Sequence, residues 1–188
     1  MQQNNDDLAL VLEDDVLINE KKFKDFLNDI ASKIDKNKIT VLTYFWCRDN
    51  SLMLNKSGAT VKGSSETYTI CHPDEVHGIG RAAAYILSKQ VAQKIFDFNS
   101  PKVVCHADSW IAYYLNGLTS GVDCVYPMPI IENPQFGSEI GYTKNRMEAV
   151  LKKIIDRALE LNIPLISDIV KRKRINFAKN YKNIIVKQ

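Results

Sequence analysis

Short apolar segments alternate with amphipathic ones along the chain, and this alternation constrains the fold more than any other feature. Leu8–Leu12 (LALVL) and Ile39–Trp46 (ITVLTYFW) have the length and the side-chain types of buried strands. Between them, apolar residues from Phe23 to Ile34 recur at spacings of three, four and seven, which predicts a helix with Asn19 as its N-cap. Strands alternating with helices predict an α/β domain with a mixed sheet.

The same pattern continues towards the C-terminus. Further strands are predicted at Ala82–Leu87 and Val122–Tyr126, with shorter ones in a polar stretch at Ala59–Val61 and Thr67–Cys71. Further helices are predicted from Ser88 to Phe96, from Ala107 to Asn116 and from Lys144 to Leu161. We assign residues 1–162 to one domain and residues 163–188 to a basic C-terminal tail.

Charge and cysteine usage narrow the class of protein. The net charge is only +3, but Lys171–Lys187 holds seven cations and no acid. This tail either lies on an anionic membrane surface or is a solvated terminal helix, and nothing else in the chain supports nucleic-acid binding. No segment approaches about 20 consecutive apolar residues, and the N-terminus lacks the order of a secretory signal. Four cysteines without C-x-x-C spacing predict buried free thiols in a reducing compartment, hence a cytoplasmic protein.

Three consecutive acids, Glu13, Asp14 and Asp15, follow the first predicted strand directly. Ligands of open α/β sheets bind beyond the carboxyl ends of strands, and a divalent cation would relieve the repulsion between neighbouring carboxylates. Mg²⁺ and Mn²⁺ bind one or two carboxylates together with phosphate oxygens of a substrate. If the strand continues through the acids, Glu13 and Asp15 point to one side and converge on one ion. The alternative is a solvated acidic turn that caps the following helix.

Four segments in order give the chain a resemblance to a known family. They are LVLEDDV at Leu10–Val16, the glycine-led GIGRAAAYILSKQVAQKI at Gly78–Ile95, HADSWI at His106–Ile111 and YPMPIIENPQFGSEI at Tyr126–Ile140. Together they resemble glycosyltransferase family 25, the lipooligosaccharide-type glycosyltransferases. The resemblance implies a GT-A-like fold and inverting transfer of a hexose, often galactose, from a UDP-sugar to a lipooligosaccharide or related glycan.

The resemblance also implies roles for particular residues. Glu13 and Asp15 would hold Mn²⁺ or Mg²⁺, with Asp14 assisting at the donor. Asp108 is the candidate general base and Glu139 the second candidate, although Asp108 is also placed to cap the helix that follows it. His77, Gly78, Gly80 and Ser138 would line the donor and acceptor sites, because the glycines allow close approach of backbone to a ligand.

Three further residues and one missing region complete the expectations. We expect His72 in a surface loop, and Trp46 and Trp110 either in the core or stacked on sugars.

Family members carry a region ahead of the acidic motif, so the resemblance implies an N-terminally truncated domain. Such a domain would be a fragment, would pair with an N-terminal partner chain, or would form a homodimer. The alternative function is a catalytically incomplete module that binds a partner or a glycan, or half of a split enzyme. A glycolipid acceptor would place the protein peripherally on the inner membrane.

Overall fold

The computed structural model describes residues 7–45, 52–64, 66–76, 79–100, 102–132 and 184–187, and four single positions between 154 and 169. Within these ranges the chain forms nine strands and three helices. The strands are β1 (Leu8–Leu12), β2 (Val16–Ile18), β3 (Ile39–Phe45), β4 (Leu52–Lys62), β5 (Thr67–Pro73), β6 (Gly80–Ser88), β7 (Val122–Tyr126), β8 (Ile130–Glu132) and β9 (Ile184–Lys187). The helices are α1 (Phe23–Ala31), α2 (Lys89–Asn99) and α3 (Trp110–Leu115).

A mixed sheet of seven strands organises the molecule, with the order β1-β6-β3-β7-β5-β4-β9. Strands β3 and β7 are parallel, as are β4 and β9, and the other neighbours are antiparallel. Five strands therefore run in one direction, and β5 and β6 run in the other. Strands β1, β3 and β7 all end on the same side of the sheet, and we call this row of strand ends the carboxyl edge. The row of strand ends on the opposite side is the amino edge. Strands β2 and β8 pair separately, with Ile18 opposite Ile130.

The two faces of the sheet carry different helices because successive strand residues point to opposite faces. On the α1 face, Phe26 and Ile30 of the helix pack against Leu42, Ile70 and other strand residues. On the α2 face, Val91 of α2 and two aromatic residues of α3 pack against alternate residues of the same strands. The α/β architecture with a mixed sheet flanked by helices, predicted from the sequence, is confirmed.

Most predicted elements appear close to their predicted bounds. Ser88 caps α2, since its hydroxyl accepts a hydrogen bond of 3.1 Å from the Val91 amide. Asn19 does not cap α1, because that helix begins at Phe23 and Lys22 occupies the cap position. The two short strands predicted between residues 59 and 71 are parts of the longer pair β4 and β5.

Only a few residues of the predicted C-terminal helix and tail are among the described residues. The predicted helix from Lys144 to Leu161 lies outside the described residues, apart from two single positions. The last four described residues of the predicted tail form β9, which pairs with β4 in the main sheet. In the described ranges, no helix has both the length and the apolar character needed to cross a membrane.

Candidate functional site

The three acids lie in a turn at the carboxyl edge of the sheet. Strand β1 ends at Leu12, and Asp14 and Asp15 occupy the turn that leads into β2. The Glu13 amide still donates to the Ala83 carbonyl at 2.8 Å, so pairing with β6 extends one residue past the strand. The expected continuation of the strand through all three acids is therefore wrong, and residues 13–15 are hereafter the acid turn. Its position beyond the carboxyl end of a strand is where α/β sheets bind ligands.

One carboxylate oxygen of the acid turn is buried and has no partner among the described residues. Oδ1 of Asp15 is shielded from solvent and has no hydrogen-bond partner in the described part of the chain. A buried polar atom without a partner is costly, and a cation would satisfy it. Carboxylate oxygens are the ligands that Mg²⁺ and Mn²⁺ prefer, so this oxygen is of the right type for such an ion. Among the described residues, no three His, Cys, Asp or Glu side chains are grouped to hold a metal ion.

The acid turn does not cap the helix that follows it. Strand β2 separates the turn from α1, and the buried Glu20 instead accepts hydrogen bonds near the start of that helix. Its carboxylate binds the Lys22 amide at 2.9 Å, the Ser64 amide at 2.9 Å and the Tyr68 hydroxyl at 3.0 Å. Burial acts to raise the pKa of Glu20, but these hydrogen bonds outweigh it and lower the pKa. The capping role proposed for residues 13–15 is therefore wrong, and the Lys22 cap position of α1 has no side-chain cap hydrogen bond.

Tyr85 connects the acid turn to the start of α3. It pairs with Val11 in β1 and Val41 in β3, and strand alternation places Glu13 on the same α2 face as Val11 and Tyr85. Burial first, and then the charge of the nearby Glu13, raise the pKa of Tyr85. The Tyr85 ring packs edge to face on Trp110, with a centroid distance of 5.2 Å. The acid turn and the N-terminus of α3 are thus joined through one aromatic side chain.

Asp108 lies exposed in the loop that leads into α3. The cap position of this helix is Ser109, and no side chain caps it, so the alternative role of Asp108 as N-cap is wrong. A hydrogen bond connects this loop to α3, because the Tyr113 hydroxyl donates to the His106 carbonyl at 3.3 Å. Trp110 is buried, with 1% of its surface exposed, so it belongs to the core and does not stack on a sugar.

The remaining predicted site residues divide between the carboxyl edge and the parts that are not described. Gly80 begins β6 opposite Phe45, the last residue of β3, so it lies at the same edge as the acid turn. His77, Gly78, Ser138 and Glu139 lie outside the described residues, as does Trp46. Their proposed contacts with donor and acceptor stay predictions.

A charged cluster that was not predicted from the sequence lies at the opposite, amino edge. Asp123 of β7 has only 4% of its side chain exposed, and its Oδ1 contacts His72 Nδ1 closely. The Lys38 ammonium lies 3.4 Å from the same oxygen and 3.4 Å from both ring nitrogens of His72. His72 is therefore part of β5 and not of a surface loop. Burial raises the pKa of Asp123, and the charges of Lys38 and His72 offset this only in part.

Strand register extends this cluster into a polar row on the α1 face. Thr40 pairs with Asp123, and Asn55 pairs with both His72 and Lys187. The row crosses five adjacent strands, and the buried Thr40 hydroxyl has no partner among the described residues. One signal in the sequence pointed to it: VDCVY places a single acid inside an otherwise apolar strand, and such an acid needs a partner. The row lies at the edge away from the acid turn.

A family comparison identifies the class of protein. The model of glycosyltransferase family 25 (LPS biosynthesis protein) matches residues 1–111. Because the match covers more than half of the 188 residues, the chain belongs to glycosyltransferase family 25. It includes the acid turn, β6 and the loop that carries Asp108, whereas Tyr126–Ile140 lies beyond it. No curated protein and no solved structure matched the chain.

Membership accounts for the fold and for the general activity. The mixed sheet flanked by helices is consistent with a GT-A-like fold. The protein is a glycosyltransferase of lipopolysaccharide biosynthesis, which implies a sugar donor and a glycan acceptor. The acid turn and the Asp108 loop both fall within the matched region.

Proposed function

We propose that the protein transfers a hexose, with galactose as the first candidate, from a UDP-sugar to a lipooligosaccharide or related glycan. We further propose that the transfer inverts the anomeric carbon. The observation that carries this proposal is the acid turn, where three consecutive acids follow β1 at the carboxyl edge and one buried Asp15 oxygen has no partner among the described residues. A glycosyltransferase needs a site for the donor diphosphate, and the carboxylates of this turn would supply ligands for a cation that holds it.

The donor side of the reaction is assigned to the acid turn and its neighbours. Asp15 and Glu13 would hold Mn²⁺ or Mg²⁺, with Asp14 directed to the donor. When bound, the cation supplies charge stabilisation to the departing diphosphate. Gly80 and, from the residues that are not described, His77, Gly78 and Ser138 would contact the sugars. Gly80 has no side chain, so the backbone at the start of β6 suits close approach of a ligand.

The acceptor side is assigned to Asp108. The bond between the anomeric carbon and the diphosphate oxygen breaks, and the acceptor oxygen forms the new bond at that carbon. Asp108 takes the proton that the acceptor hydroxyl loses, and UDP departs with the bonding electron pair. Glu139 is the second candidate for this role. Asp108 is exposed and has no capping role, so its carboxylate is free to meet an acceptor.

A transfer assay with stereochemical analysis tests this proposal. The protein is incubated with each UDP-hexose, Mn²⁺ and a lipooligosaccharide acceptor, and NMR identifies the anomer of the product. We expect an inverted product and a loss of about 100-fold or more in kcat for Asp108→Asn. Asp97→Asn, which changes an exposed carboxylate that accepts from Gln93 on α2, is the matched control and should keep its activity. A retained anomer would refute inversion. Donor binding without transfer from any UDP-hexose would favour the incomplete binding module or split enzyme.

A glycolipid acceptor would also require the protein to reach a membrane surface. We propose that the cations of Lys171–Lys187, except Lys187, which is paired with Asp74, hold it on the anionic cytoplasmic leaflet, at about 1 kcal/mol for each cation near the surface. Pelleting with anionic liposomes should be strong at low salt and lost at high salt. Pelleting that ignores the salt concentration would refute this electrostatic attachment.

A further inference from the structure

Two tyrosines on the α2 face link the two halves of the proposed site. Tyr85 lies beside Glu13, and its ring packs edge to face on Trp110. Trp110 in turn packs edge to face on Tyr113, with a centroid distance of 6.2 Å. Three aromatic rings therefore run without interruption from β6, next to the acid turn, to the middle of α3.

The hydroxyl group of Tyr113 extends this series of contacts to the loop that carries Asp108. Burial, followed by the neighbouring Cys105 and then Tyr85, raises the pKa of Tyr113 to about 12. The Tyr113 hydroxyl donates to the His106 carbonyl, two residues before Asp108. The Ser109 amide donates to the same carbonyl at 3.1 Å. The His106 oxygen therefore accepts hydrogen bonds both from Ser109, just after Asp108, and from Tyr113 in α3.

We propose that Tyr85 and Tyr113 are positioning residues, which hold the loop bearing Asp108 at a fixed place relative to Glu13 in the acid turn. The inference deepens the proposed function and rests on it, since Asp108 and the acid turn are its two working ends. Transfer requires the acceptor oxygen and the donor carbon at a separation set to within a fraction of an ångström. An exposed loop cannot provide that by itself, whereas buried rings packed on a β-strand can.

The variants Tyr113→Phe and Tyr85→Leu test this role. Tyr113→Phe removes the hydroxyl that donates to the His106 carbonyl and keeps the ring, whereas Tyr85→Leu removes the ring that packs on Trp110. Tyr114→Phe is the matched control, since Tyr114 is exposed on the same helix and lies next to Tyr113 in sequence. The first readout is hydrogen exchange across residues 105–110 in the protein without metal or nucleotide. We expect exchange at the Ser109 and Trp110 amides to rise about tenfold in both variants and to stay unchanged in the control.

The second readout separates positioning from simple loss of structure. Tyr113→Phe should lower kcat by about tenfold while the affinity for UDP with Mn²⁺ stays unchanged, because only the Asp108 loop is released. Tyr85→Leu should lower kcat and also weaken UDP binding, because it removes the ring that lies between Glu13 and Trp110. Wild-type exchange and kinetics in both tyrosine variants would overturn the inference. If the wild-type chain transfers no sugar, the proposed function fails, and the exchange comparison still decides whether the tyrosines hold the loop.

Discussion

Replacing Lys38 with methionine should destabilise the protein far more than an ordinary lysine substitution does. The Lys38 ammonium is one of two partners of the Asp123 carboxylate, whose side chain is only 4% exposed. Methionine keeps the apolar stem that packs over Gly121, so the variant removes mainly the charge. Breaking a buried ion pair from one side costs about 3–5 kcal/mol. Since His72 still contacts Asp123 and Lys38 is itself 21% exposed, we expect the lower end, about 3 kcal/mol.

Urea and thermal unfolding followed by circular dichroism would measure this loss. For a chain of this size, about 3 kcal/mol corresponds to a fall in Tm of about 6–12 °C. Lys36→Met is the matched control, because Lys36 pairs with Asp7 at the surface, where the side chains are 56% and 77% exposed. We expect a loss below about 1 kcal/mol there. Equal, small losses in both variants would show that Lys38 does not stabilise the buried carboxylate, and the argument for a charged cluster at the amino edge would fail.

Two further predictions concern ionisation. Because the folded-state pKa of Asp123 is raised, the folded protein binds that proton more tightly than the unfolded chain does. The unfolding free energy of the wild type, measured relative to Asp123→Asn, should therefore fall as pH rises from about 4 through the raised pKa and then level off. A difference that rises over this range would contradict the assignment. Burial raises the pKa of the Cys71 thiol to about 11 and raises that of Cys124 as well, so both should resist thiol reagents until the protein unfolds. Mass spectrometry of native and denatured samples checks this, and rapid native labelling of either would refute it, whereas the partly exposed Cys105 should react first.

The sequence predicted a strand correctly where the residues of that strand themselves favour extended structure strongly. Val122–Tyr126 and the strand from Ile39 are dense in β-branched and aromatic side chains, and both form at the predicted place. Strand β4 was predicted only as the fragment Ala59–Val61, because the Asn, Lys, Ser and Gly residues before it carry weak strand preferences. Strands β4 and β5 are specified by pairing with each other and with β7 and β9, which a single segment cannot reveal.

The candidate site and the polar row also differ in how far the sequence could predict them. The acid turn was predictable because its three carboxylates are adjacent in sequence and follow an apolar run. The polar row was not, because Lys38, His72 and Asp123 are separated by 34 and 51 residues and meet only through the strand order. The contact between Tyr85 and Trp110 likewise depends on how α3 packs on the sheet. Such contacts come from tertiary packing, which overrides local preference.

Calorimetric titration of UDP, with and without Mn²⁺, tests the central claim that the acid turn is a metal and diphosphate site. The wild type, Asp15→Ala and the matched control Asp25→Ala, which changes an exposed acid of α1, would be compared. We predict Mn²⁺-dependent binding in the wild type and in the control, and its loss in Asp15→Ala. Binding that is independent of Mn²⁺, or that survives in Asp15→Ala, would contradict the assignment of the acid turn.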